Sequence, residues 1–177
     1  RRKELGEKES VAEFGVQFQL FGQSVTSAIN LADSPEKCDQ ALSRLMLQLE
    51  ELEARFGEYE QFMSELTTKR EDVYKTLSTK RQQLLEQRQR RAQQLIGAAD
   101  RILEGIVRRS GTMTSPDDLN TYFASDPMVM KVRDIEEKLR ELGDPVKADE
   151  LASRLKMARQ ESTRTLRDKT EIYEEGA

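Results

Sequence analysis

Residues 42–77 read LSRLMLQLEELEARFGEYEQFMSELTTKREDVYKTL, and the fold turns on how this stretch is interpreted. Leu42, Leu45, Leu49, Leu52, Phe56, Tyr59, Met63, Leu66, Arg70, Val73 and Leu77 recur in alternating steps of three and four. That spacing puts all of them on one stripe of an α-helix, with Arg70 as the single charged intruder. An apolar stripe of this length needs a partner along its whole run. No breaker stronger than an isolated glycine interrupts the chain between Pro35 and Ser110. The expectation is therefore one long central helix over 34–110, on the order of 110 Å if unbroken. Gly57, Gly97 and Gly105 are the places where it would bend.

Punctuation outside that stretch agrees with an all-helical chain. Each of the four prolines follows a capping residue: Ser34-Pro35, Ser115-Pro116, Asp126-Pro127 and Asp144-Pro145. Ser and Asp oxygens accept from the free amides of a first turn, and proline is tolerated there because its missing N–H would have no partner. Upstream, Val11, Phe14, Phe18, Phe21, Val25, Ala28 and Ala32 keep the same three-four rhythm. Val16-Gln17-Phe18-Gln19-Leu20 also alternates with period two between Gly15 and Gly22, the pattern of a strand. Helix is favoured, because a strand would have no partner strand here. Downstream, a register slip near residue 80 precedes Ala92, Leu95, Ala99, Ile102 and Ile106. Met128, Val132, Ile135, Leu139 and Leu142 form the next stripe, and Ala148, Leu151, Leu155, Ala158, Ser162, Thr165 or Leu166, and Ile172 the last.

The fold class expected is all-α: an elongated antiparallel coiled coil on one central helix, with a helical hairpin at each end. Residues 1–33 form an N-terminal helix folding back on the long one. Residues 111–127 make a hairpin tip with a short helix. Residues 128–177 make a return helix in which Gly143-Asp144-Pro145 introduces a kink rather than a reversal.

Composition narrows the functions. Apolar residues are 36% and charged residues 35%, with no Trp, too little oil for a thick core. One cysteine precludes an internal disulfide and fits a reducing, cytoplasmic setting. No apolar run approaches the ~20 residues that span a bilayer, so no membrane partner is expected. The chain begins Arg1-Arg2-Lys3 and reads as a fragment of a larger protein. Histidine is absent, which removes the commonest general base and metal ligand. No phosphate-binding glycine loop occurs. Acidic clusters such as Glu50-Glu51-Leu52-Glu53 read as solvated helix faces, and Cys38, although one turn into a helix, has no base or second thiol nearby in sequence. The fragment is expected to be no enzyme and to hold no cofactor or metal.

Charge is unevenly placed. Over 35–68 three basic residues (Lys37, Arg44, Arg55) face eight acidic ones, whereas basic residues predominate over 69–109. Lys80, Arg81, Arg88, Arg90, Arg91, Arg101, Arg108 and Arg109 are candidate contacts for a phosphate backbone, with DNA as the partner. Tyr74 alone lies among them as a stacking ring. The alternative is a solvated face, neutralised in part by Glu136, Glu137, Glu141, Asp149 and Glu150. At the tip, Met113, Tyr122, Phe123, Met128 and Met130 offer either a small cap core or a docking surface. The Leu42–Leu77 seam could also serve a second chain, making a homodimer.

Thr121-Tyr122-Phe123-Ala124-Ser125-Asp126-Pro127-Met128-Val129, followed by Lys131-Val132-Arg133-Asp134, resembles a stretch of the very large bacterial DNA repair ATPases. Lys69-Arg70-Glu71, the Arg88–Ala92 block, Leu142-Gly143-Asp144 with Lys147-Ala148-Asp149, and Leu166-Arg167-Asp168 extend the similarity over about 60–177. The resemblance implies that this segment is a coiled-coil arm, spacing or coupling the other domains of a cytoplasmic ATPase that acts on DNA. No position here matches that family's phosphate loop, so its nucleotide-binding residues do not carry over.

Overall fold

A computed structural model describes the backbone of residues 2–176, with the side chains of 6–172, 174 and 176. Within that span the chain forms helices α1 (Arg2–Leu31), α2 (Pro35–Phe56), α3 (Glu60–Ser110), α4 (Pro116–Ser125), α5 (Pro127–Glu141) and α6 (Pro145–Gly176). No strand occurs among the described residues, so the period-two reading of 16–20 gives way to helix. All four Xaa-Pro pairs open helices as expected. The Ser34 hydroxyl accepts from the Lys37 amide at 3.1 Å, and the Asp126 carboxylate from the Met128 amide at 2.9 Å.

The long helix over 34–110 requires correction. It is divided at Gly57–Tyr59, and the chain reverses there. Arg70 on α3 pairs with Glu53 on α2, and Arg81 pairs with Asp39, a pairing order only an antiparallel hairpin produces. The cause lies in the stripe itself. A rod carrying a full-length apolar seam must find an external partner, whereas a reversal at its midpoint buries the seam against itself. Gly57 permits the turn: a Cβ at that position would run into the Glu53 carbonyl. The amides of Phe62 and Met63 then restart the helix on the Tyr59 carbonyl, both at 3.1 Å.

The chain divides into two compact units, Arg1–Gln87 and Arg88–Ala177. In the first, α1 runs antiparallel to α2, as the Glu13–Arg55 ion pair shows, and the opening part of α3 completes a three-helix bundle. Phe14, Phe56 and Phe62 meet at one end, the Phe14 and Phe62 rings stacking 4.1 Å apart. Leu45, Leu49, Leu66, Val73 and Leu77 fill the middle, each with no more than 1% of its surface exposed.

The second unit repeats the plan with the later part of α3, α5 and α6. Here the kink expected at 143–145 is also a reversal. Gly143 takes a left-handed backbone (φ 92°), the Asp144 amide bonds the Leu139 carbonyl at 2.9 Å, and the Gly143 amide bonds that of Arg140 at 3.0 Å. This double closure ends α5 and sends α6 back, antiparallel to α5 and parallel to α3. Arg140 pairs with Asp149 across the turn, and Asp100 on α3 with Arg154 on α6. Val129, Val132, Ile135, Leu139, Ile106 and Leu151 form the core, closed at one end by Phe123 of α4.

Candidate functional surfaces

The basic residues singled out above fall into different environments once folded. In the first unit, Lys80 donates to the Ile29 carbonyl at the end of α1, which binds a helix C-terminus with a cation, and Arg81 pairs with Asp39. Both are engaged in holding the bundle together. In the second unit Arg88 is half-buried, its guanidinium carbon 3.3 Å from where a Cβ on Gly143 would sit. Arg90, Arg91, Arg101, Arg108 and Arg109 are exposed and make no ion pair within 4 Å among the described residues. At 100° per residue, Arg90, Arg101 and Arg108 project along one line of α3, with Arg91 and Arg109 about a quarter turn away. Glu104 lies close to that line and reduces its positive field.

Arg108 also borders a groove of about 910 Å³ between α3 and α6, floored by Leu103, Val107, Met157 and Ala158. The rim carries both signs, with Asp100, Glu104 and Glu161 beside Arg108 and Arg154. Beyond it, the Ser110 and Ser162 hydroxyls bond each other at 2.7 Å while buried, which satisfies two polar groups in an otherwise apolar layer.

At the tip, Tyr122 and Phe123 are buried (5% and 1% exposed) and meet edge to face at 5.3 Å. Met113 and Met128 pack half-buried on the same core, and Met130 is 44% exposed. Most of the candidate docking surface is therefore spent closing the second bundle. Burial raises the Tyr122 phenol above its ordinary range, and its hydroxyl has no partner among the described residues.

Two further titratable groups respond to burial. Cys38, placed in the first turn of α2, packs into the core of the first unit, and desolvation pushes its thiol up. Glu136 is half-buried on α5 with one carboxylate oxygen unpartnered; desolvation raises its pKa, against the pull of Arg133 and Arg140. Sequence spacing gave no warning of this group, because Glu136 occupies an ordinary position between Ile135 and Glu137. The Leu42–Leu77 seam, which could have served a second chain or an internal hairpin, is covered by its own chain from Leu45 to Leu77.

Among the described residues no three His, Cys, Asp or Glu side chains cluster closely enough to hold a metal ion, and no helix is long and apolar enough to cross a membrane. No protein-family model matches the chain, and neither a curated protein nor a solved structure resembles it significantly.

Proposed function

We propose that the chain is a non-catalytic helical scaffold of a large cytoplasmic ATPase acting on DNA, positioning the other domains of its parent protein. A single unbroken lever is not the means, because the backbone reverses at 57–59. The observation that carries the reading is the use of α3 by two cores. Phe62, Leu66, Val73 and Leu77 serve the first, and Ala92, Leu95, Ala99, Leu103 and Ile106 the second. A helix propagates cooperatively, so fraying at one end of α3 costs the other core as well. Calorimetric unfolding tests this. The unaltered chain should melt in one transition, and Gln87→Pro, which breaks the helix between the two sets of residues, should give two. Two independent transitions in the unaltered chain, or ATP hydrolysis by it, would end the scaffold reading.

A nucleic-acid-binding module is the second reading, supported by the five exposed arginines of the second unit. It expects DNA retention that falls steeply with salt. Changing Arg90, Arg91 and Arg101 to Glu should then abolish it, and retention unaffected by those changes counts against it.

A further inference from the structure

Leu77 and Ala92 are buried, and no side chain of α3 between them is. Lys80 and Arg81 are tied to α1 and α2, Leu84 packs half-buried on the first core, and Arg88 lies against the Gly143 turn. Gln82, Gln83, Gln87 and Gln89 are exposed, yet the helix runs through them without a break. Most helices in proteins owe their stability to tertiary packing, and here there is little of it. What remains is the preference of the backbone itself.

The sequence meets that need. Every residue over 80–95 is Lys, Arg, Gln, Glu, Leu or Ala. All six types stand at the top of the helix-propensity order, and none loses rotamer freedom to the preceding turn or competes for backbone hydrogen bonds. The covered parts of the same helix are not so restricted. Thr67, Thr68, Asp72 and Val73 precede the stretch, and Gly97, Asp100, Gly105 and Val107 follow it. Poor helix formers occur where a core holds the helix and vanish where none does. Local pairing adds to the effect: Gln82 donates to Glu86 at 3.3 Å, and Glu86 stands four residues before Arg90, the favourable order for an acid and a base on one face.

We propose that residues 80–91 are a self-supporting length of helix, a conformational link that carries helical order between the two cores by propensity rather than by packing. An isolated helix of about a dozen residues is marginal in water, because its first turn carries a nucleation factor of about 0.001–0.004. This stretch needs no nucleus of its own, since buried turns at Leu77 and Ala92 supply both ends. Each residue between them then propagates with a factor near or above one, whereas a gap opened inside the helix incurs the nucleation factor afresh. The middle of the link therefore stays closed although no core covers it. The proposal deepens the scaffold reading, in which α3 serves both cores, and the two fail separately.

Residue-resolved amide hydrogen exchange of the full chain tests the link. The amides of Gln83, Leu85 and Gln87 should exchange at least ~100-fold more slowly than in an unstructured chain, the protection that the nucleation factor provides. Gln83 and Gln87 are exposed, so paired substitutions there touch neither core. Gln83→Gly with Gln87→Gly should exchange these amides roughly 20-fold faster than Gln83→Ala with Gln87→Ala, because each glycine lowers propagation about 4–5-fold against alanine. Protection in the unaltered chain that falls short of the first factor, or equal exchange in the two paired variants, would overturn the proposal. Two thermal transitions in an unaltered chain whose link amides are protected would instead end the scaffold reading and leave the self-supporting helix standing. One transition with those amides unprotected would do the reverse.

Discussion

Arg70 on α3 donates two hydrogen bonds to one oxygen of Glu53 on α2, at 2.6 and 3.2 Å, and lays a third nitrogen 3.5 Å from the Met46 sulfur. The charged residue that interrupts the apolar stripe is thus the clasp of the hairpin that the stripe forms. Both side chains are partly shielded, at 35% and 25% exposure, so the pair is stronger than a surface bridge and weaker than a fully buried one. Removing one partner strands the other in a half-dry site. Glu53→Ala should cost about 1 kcal/mol in denaturant unfolding, and Glu53→Leu with Arg70→Met should recover most of that loss. A double-mutant cycle showing no coupling between the two positions would remove the clasp from the account.

The glycines divide into those the backbone needs and those it tolerates. Gly143 holds φ at 92° beneath the Arg88 guanidinium, so Gly143→Ala is strained twice, by its backbone and by the side chain above. It should destabilise by about 1–2 kcal/mol. Gly97 is helical and open, with nothing within 4 Å of an added Cβ, and Gly97→Ala should stabilise by about 0.5–1 kcal/mol. A thermal midpoint that does not fall for Gly143→Ala would contradict the Gly143-centred reversal.

Helix content, caps and the core stripes were legible in the residues, except at Val11 and Ile172, which are exposed; the direction of the chain was not. Every apolar position read from 45 to 77 is buried or half-buried, and so is every one from 92 to 106. Periodicity reports which side of a helix is dry, but a stripe folded on itself at Gly57 and a stripe facing a second rod have the same spacing. The same ambiguity turned the Gly143 reversal into an expected kink, although glycine just past a helix end is the usual means of reversal. Among the candidate sites, charge alone could not separate Lys80 and Arg81, which bind their own bundle, from Arg90 and Arg101, which face solvent. That distinction depends on which carboxylate or carbonyl the fold brings near, and contacts such as Arg81–Asp39 are 42 residues apart.

Glu136 sets the expected pH response of the second unit. Its carboxyl is raised by desolvation, so the folded chain binds that proton more tightly than the unfolded chain does. Below the unfolded pKa the group is neutral in both states and carries no penalty. As pH rises from the unfolded value through the folded one, the charge must be held in a half-dry site, and its contribution to stability falls. Glu136→Gln removes that charge and leaves the shape. At pH 7 the variant should be the more stable by roughly 0.5 kcal/mol, a figure reduced for the screening that partial exposure allows. By pH 4 the two proteins should unfold at the same midpoint. A variant at 136 that is less stable than the parent at pH 7 would mean that attraction to Arg133 and Arg140 outweighs desolvation, and the sign of the effect would reverse.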